Sequence, residues 1–279
     1  MNLQCEKTVE KIWWFGYNKE KGVFTMLRRY ELTDEEWLRI EPLLPPENTG
    51  KQGRPRKDNR IIMNGIVWLA RSGAPWRDLP ERYGSWKTVY SRFRKWIDDG
   101  ILDNIFRILS LEAELEELSI DASIIQAHQH SAGAKKRGPS NEIGHSRGGA
   151  STKIHAAVDA YGYPVYLMIN EGQRNDINYA IPLLDQIEIN GSNVLADRGY
   201  DSNKLLDYVY ARGGEPTIPS RKGAKFERHC DWWLYKERHL VEKYFLKLKA
   251  FRRIATRYDK LAATYLGFIC IASILIWLK

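Results

Sequence analysis

Residues 235–249 read YKERHLVEKYFLKLK. On a regular α-helix the offsets of three, seven and fourteen from Tyr235 to Arg238, Glu242 and Lys249 place these four side chains within a wedge of about 60°. Trp233, Leu234, Leu240, Val241, Tyr244, Phe245, Leu248 and Phe251 fall on the opposite side. The stretch therefore reads as one helix laid on a core, presenting an acid, two bases and a phenol outward. Such a face suits a metal site beside a polyanion. Leu246 also falls inside the wedge, and of the four polar residues only Glu242 can ligate a metal.

Upstream of this helix, strands precede alternating strands and helices, the pattern of an α/β domain with a mixed sheet. Leu118 to Ile125 is a short β-rich run holding Asp121, and KIHAAVDA (153–160) with PVYLMIN (164–170) flanks a turn as a hairpin. A helix over 177–188, a strand ending at Asp197, a helix over 202–212 and the strand EPTIPS complete the series. Residues 131–151, rich in Gly, Ser and basic side chains, read as a loop.

Residues 30–112 read as helices. Thr33 with Glu36 is a capping box, Pro45 and Pro46 end the first helix, and Asp58 caps a second that closes at Gly73. Ser85 caps a third over WKTVYSRFRKWIDDG, and ILDNIFRILSLEAELEEL is the fourth. Short loops between such helices suggest a helix-turn-helix variant whose third helix offers Lys87, Arg92, Arg94 and Lys95 to DNA. Arg54, Arg56 and Lys57 of the RPRK run add to the basic surface.

The chain has 279 residues, with 43 Lys and Arg against 35 Asp and Glu, a net charge of +8 that favours an acidic partner such as nucleic acid. Its 3 cysteines lack paired spacing, so a disulfide framework and a zinc knuckle are not indicated, and a reducing cytoplasm fits. Residues 261–278 are uncharged, yet they contain Thr264, Gly267 and Ser273 and follow a soluble-looking basic segment, so they read as a buried helix and not a membrane span.

Asp121 within a strand and Asp197 at a strand end lie where α/β sheets place ligands, and with Glu242 they could hold divalent cations. For phosphodiester chemistry two Mg²⁺ ions about 3.5–4 Å apart activate the attacking oxygen and stabilise the leaving one. In this reading Asp121 bridges the ions, Asp197 and Glu242 complete one each, Arg238 and Lys249 neutralise phosphate charge, and Tyr235 donates to a phosphate oxygen. Arg252 and Arg253 extend the basic track. Asp159 and Asp201 read as turn and cap residues; Asp176, in GQRNDIN, is the strongest substitute ligand. His128, His130 and His155 lack a fourth partner for a zinc site.

The array Tyr-x2-Arg-x3-Glu-x6-Lys resembles the motif around the catalytic glutamate of DDE transposases from bacterial insertion sequences. IDAS, SRGGASTKIHAAVDAYGYP, LADRGYDS and LKAFRRIATRYDK look like the branch called insertion sequence family five. RYELTDEEWLRIEPLLP and GAPWRDLPERYGSWKTVYSRFRKW resemble its N-terminal domain. The resemblance implies an α/β, RNase H-like catalytic domain with a mixed central sheet over 114–279. A small all-α, helix-turn-helix-like DNA-binding domain would precede it over 30–113, after an extension over 1–29. It also implies Asp121, Asp197 and Glu242 as catalytic and metal-binding residues, two Mg²⁺ ions with Mn²⁺ able to substitute, and cleavage at the element ends. Transfer of the 3′ ends to target DNA would follow, by a homo-oligomer on paired terminal repeats in the bacterial cytoplasm, at the nucleoid. A nuclease without strand transfer and an inactive, sequence-specific DNA binder are the alternatives.

Overall fold

The computed structural model describes residues 28–47, 56–131, 141–224 and 227–279 in full, and the backbone alone of 15–18, 23–26 and 132. Arg54, Lys135, Lys136, Arg137 and most of the extension over 1–29 lie outside the described residues. Within that extension, β1 (Phe15–Asn18) and β2 (Val23–Met26) pair as an antiparallel ribbon.

The helical block opens with α1 (Asp34–Ile40), whose Thr33 hydroxyl accepts from the Glu36 amide while the Glu36 side chain accepts from the Thr33 amide. The capping box read from sequence is therefore formed, satisfying two amides that a helix start leaves open. In α2 (Asn59–Ser72) the Asp58 carboxylate accepts from the Arg60 and Ile61 amides, and Gly73 ends the helix at a φ of 71°. α3 (Trp86–Asp98) and α4 (Ile101–Ser110) follow. Two short 3₁₀ turns lie between α2 and α3, a longer passage than the three- or four-residue turn of a helix-turn-helix. α4 stops at Ser110, short of the helix expected to Leu118, and the chain turns directly into the sheet.

The sheet is built from β3 (Glu117–Gln126), β4 (Gly144–Ser146), β5 (Gly149–Val158), β6 (Pro164–Glu171), β7 (Asn193–Leu195) and β8 (Glu215–Thr217). Between β3 and β4 lies the single turn α5 (Gln129–Ala132). The Gly-rich segment expected as a loop thus contributes β4 and the start of β5. β5 pairs antiparallel with both β6 and β3, whereas β7 runs parallel to β3 and β8 parallel to β7. Three antiparallel strands followed by two parallel ones, in the order β6-β5-β3-β7-β8, form the mixed sheet of an RNase H-like fold. The helices α6 (Ile177–Leu184) and α7 (Asn203–Ala211) supply the crossovers that parallel pairing requires.

These two helices bury Leu183, Leu184, Leu205 and Val209 against Leu118, Ile120 and Ala157 on one face of the sheet. The other face carries α8 (Trp232–Tyr235), a 3₁₀ turn over Lys236–Arg238, α9 (His239–Lys249), α10 (Arg252–Ala255) and α11 (Ala262–Trp277). Val241, Tyr244, Phe245 and Leu248 of α9 pack there with Ile154, Ala156 and Val158. The same core continues into α1–α4, with Phe93 at 4.7 Å from Phe268 between ring centroids. The change of architecture near residue 113 is therefore not a gap in packing. α11 is buried by protein, and no helix among the described residues is long and apolar enough to cross a membrane.

Candidate active site

β3 carries Asp121 near its middle, in register with Ala156 on the face packed by α9. The parallel pairing of β3 with β7 matches Ser119 to Leu195, so two residues further along each strand Asp121 and Asp197 come level. Asp197 caps the 3₁₀ turn Arg198–Tyr200, accepting from the Gly199 amide at 2.7 Å. Only this non-local register unites acids 76 positions apart in the sequence.

From the other side Arg238 reaches in. Its Nη1 donates to Asp121 Oδ2 at 3.0 Å, and its Nη2 donates to Glu242 Oε1 in a short contact. Burial works against the Arg238 charge, but Asp121 and Glu242 outweigh it and raise its pKa. Burial likewise pushes the Asp121 carboxyl above the ordinary aspartate value; the Ala122 amide and Arg238 oppose the rise, while Asp197 and Asp176 add to it. Tyr200 is buried, and burial raises its phenol far above the usual range, with Asp121, Asp176 and Asp197 adding to the effect. Burial and these three carboxylates together favour its neutral form.

The structure thus gathers Asp121, Glu242 and Arg238, with Asp197 level on the neighbouring strand. Among the described residues no three His, Cys, Asp or Glu side chains converge closely enough to enclose one metal ion. The physical reason lies in Arg238, whose guanidinium holds Asp121 and Glu242 apart by its own width. The donor set nevertheless fits a hard divalent cation: it is all carboxylate, and two of its members already converge on a cationic group.

Several expectations for the helix face change. The segment is not one continuous α-helix, because Tyr235 and Arg238 stand on α8 and the 3₁₀ turn that precede α9. Uniform helical spacing therefore holds only within α9. Trp233, expected on the core side, is 75% exposed, and Trp232 meets Tyr235 edge to face at 5.6 Å. Glu242, Leu246 and Lys249 are exposed on α9, as the wedge requires. Arg252 is exposed beside Gly73.

Arg253 is corrected. It is 5% exposed, donates from Nε and Nη2 to both oxygens of Asp259 at 3.0 and 2.8 Å, and donates from Nη1 to the Ala74 carbonyl at 2.7 Å. Its charge is spent inside the protein, so it offers DNA nothing in this conformation. Arg94 is similarly engaged, donating to Thr264 Oγ1 and to Asp98. Elsewhere on the helical block, Lys87 is exposed, Lys95 pairs with Asp99 at 2.7 Å on the surface, and Arg56 is exposed near Arg92. Arg92 donates to Asn59, while the Lys57 ammonium lies over Gly84 just ahead of α3. Arg56, Lys57, Lys87 and Arg92 therefore collect around the start of α3.

Of the rival acids, Asp159 is buried and accepts from the Tyr161 and Tyr163 amides, and Asp201 accepts from the Arg221 amide and binds Arg228. Asp159 is the turn residue expected, whereas Asp201 does not cap α7, whose N-cap is Ser202, and instead ties down Arg221 and Arg228. Asp176 stands at the start of α6 without capping it. Lys153 and His155 lie beside Asp176 on the face of β5 that packs α6, opposite the α9 face that carries Asp121. Their signal was a lysine inside the otherwise apolar strand KIHAAV, since an ammonium buried in a sheet demands an anion.

Residues 112–277 match the family model described as "Transposase DDE domain". The chain belongs to the DDE transposases. Residues 32–106 match a second model, "Putative transposase of IS4/5 family". A Brucella ovis protein named "Putative transposase for insertion sequence element IS6501" is 37% identical over 133 residues, covering 46% of this chain and 99% of that protein. The "Putative transposase for insertion sequence element IS402" of Burkholderia cepacia is 32% identical over 154 residues, 52% of this chain and 69% of its own. The uncharacterized protein y4sN of Sinorhizobium fredii is 47% identical over 105 residues, 38% of this chain and 83% of that protein. Among solved structures, the piggyBac transposase synaptic complex with hairpin DNA aligns over 67% of this chain and 47% of that chain, at a TM-score of 0.37 and 13% identity. The strand order, and not this superposition, carries the fold assignment. The transposase therefore belongs to the kind found in bacterial insertion sequences.

Proposed function

We propose that this transposase binds the terminal inverted repeats of an insertion sequence, cleaves the DNA at the element ends and joins the freed 3′ ends to target DNA. The observation that carries the reading is the convergence of Asp121 and Glu242 on Arg238, with Asp197 level on the neighbouring strand. Two Mg²⁺ ions, or Mn²⁺ in their place, would supply activation of the attacking oxygen and stabilisation of the leaving one. Asp121 would be shared between them, with Asp197 and Glu242 each completing one set. Asp121 and Glu242 can take that role only when Arg238 withdraws, and a scissile phosphate offers the guanidinium an equivalent bidentate partner. Tyr235, Lys249 and Arg252 flank the acids and would hold the strand on either side of the cut.

The helical segment over 30–113 contributes end binding through Arg56, Lys57, Lys87, Arg92 and Lys95, where backbone amides at the start of α3 add a phosphate site. Cleaving two ends and joining both to one target calls for more than one copy, so the active form is a homo-oligomer on paired ends, working in the cytoplasm at the nucleoid.

The test is incubation with labelled element ends, Mg²⁺ and a target plasmid. Joined products that disappear with Asp121→Asn, Asp197→Asn and Glu242→Gln, while end binding persists, are expected. Cleavage without joining would make the protein a nuclease; specific binding without either would make it a DNA binder. Unchanged cleavage in the Asp121 variant would overturn the site.

A further inference from the structure

Arg238 occupies two oxygens that a divalent cation would need, Asp121 Oδ2 and Glu242 Oε1, and it is held to them unevenly. The bond from Nη1 to Asp121 is 3.0 Å long and sheltered, the two side chains being 20% and 21% exposed. The bond from Nη2 to Glu242 faces solvent, because the Glu242 side chain is 53% exposed, and exposed pairs four residues apart are among the weakest ion pairs.

Neither carboxylate depends on Arg238 for its place. Asp121 Oδ1 accepts from the Ala122 amide at 2.7 Å, and Glu242 stands in the first turn of α9. Arg238 itself ends the single 3₁₀ turn Lys236–Arg238, whose poorer hydrogen-bond geometry makes it the most easily moved of the three. A guanidinium carries five N–H donors, and those beyond the two used here have no partner among the described residues. A phosphate can therefore engage Arg238 before either carboxylate is released.

We propose that Arg238 is a latch, closing the acid centre to divalent cations in the DNA-free protein and opening it when the scissile phosphate takes the guanidinium. This rests on the reading of the centre as metal-dependent and adds its regulation: metal loading follows DNA binding, and one phosphate controls it. Coupling of this kind is reciprocal, so the factor by which the phosphate tightens metal binding is the factor by which metal tightens the grip on the phosphate.

The alternative is that Arg238 is a fixed counter-ion, which stays between the two acids when metal and DNA are bound. Removing it would tighten metal binding under either view. The deciding quantity is how much the scissile phosphate adds. All proteins compared carry Asp197→Asn, a change outside both Arg238 contacts that is expected to prevent cutting. Mn²⁺ binding is followed by electron paramagnetic resonance on protein bound to end DNA with an ordinary scissile phosphate, and again with an uncharged methylphosphonate at that position. Mn²⁺ held by each DNA alone is subtracted, and the ratio of the two affinities is the gain due to the phosphate. The gain should be larger with Arg238 present than in Arg238→Gln by about 5–150-fold, the ordinary range of a coupling between two ligands. Arg238→Lys keeps the charge but lacks the planar fork that bridges two carboxylates, so it too should lose most of the excess. Circular dichroism checks folding, and if Arg238→Gln does not fold, Arg238→Lys decides. Equal gains with and without Arg238 would refute the latch. Adding Asp121→Asn separates the two readings: Mn²⁺ binding that this change leaves untouched, on DNA and off it, sinks the metal-dependent centre itself, whereas binding lost with Asp121 alongside equal gains sinks the latch alone.

Discussion

Removing Asp259 should unfold this protein far more readily than any phosphate-contact role for Arg253 would allow. Arg253 and Asp259 side chains are each 6% exposed and joined by two hydrogen bonds, and the guanidinium also lies 4.8 Å from the Phe268 ring centroid. Asp259→Ala leaves that guanidinium buried with the Ala74 carbonyl as its remaining hydrogen-bond partner. Breaking such a pair from one side costs about 3–5 kcal/mol, because an uncompensated charge stays in the interior. At roughly 2–4 °C per kcal/mol for a domain of this size, the melting temperature should drop by about 6–20 °C. Replacing both partners by Arg253→Met and Asp259→Leu should recover most of the loss, short of about 1–3 kcal/mol for the Ala74 carbonyl left without its donor. Thermal melting followed by circular dichroism measures both effects, and end binding over a series of salt concentrations tests whether Arg253 contacts a phosphate. The reasoning is refuted if Asp259→Ala melts within about 2 °C of wild type, or if Arg253→Met keeps its stability but lowers the salt slope by about one, as loss of a phosphate contact does.

His155 should make stability depend on acid. Burial lowers its pKa to about 4, so it stays neutral when folded but protonates near 6.5 when unfolded. A depressed histidine contributes stability above pH 6.5 that is lost as pH falls toward 4, about 2 kcal/mol of it by pH 5. The difference in melting temperature between pH 7.5 and pH 5 should therefore shrink in His155→Asn. Gly267→Ala should destabilise by roughly 1–3 kcal/mol in chemical denaturation, despite the better helix propensity of alanine. Its added methyl would stand 2.5 Å from Ile97 Cδ1 and 3.1 Å from Phe93, where α11 meets α3. Thr33→Ala should cost about 1 kcal/mol in the same assay, by removing the capping bond to the Glu36 amide.

What the sequence made legible was local. Thr33, Asp58 and Gly73 announced helix ends because their side chains or backbone act within a few residues, and each forms the expected cap. β3 with Asp121 and the β5–β6 hairpin were readable from β-rich runs bounded by turn residues. What escaped was non-local. The pairing that brings Asp197 level with Asp121 depends on β7 lying beside β3, which no periodicity encodes. Arg253 looked like one more surface cation because its partner, Asp259, satisfies it only once α10 is folded back against Ala74. The uniform helix through residues 235–249 failed at the 3₁₀ turn, where hydrophobic spacing carries no signature of tighter winding. Lys153 was visible, but its meaning required the depth of β5.

The core shared by α1–α4 and α11 has a consequence for synthesis. Ile62, Ile66, Phe93 and Ile105 share a core with side chains of Ala262–Trp277, which are made roughly 150 or more residues later than the first three helices. At about 5–20 residues per second, the apolar flanks of the first helices wait on the order of 10–30 s for this partner. The helices of the first block can therefore reach their finished packing only after the acid-bearing segment has been made.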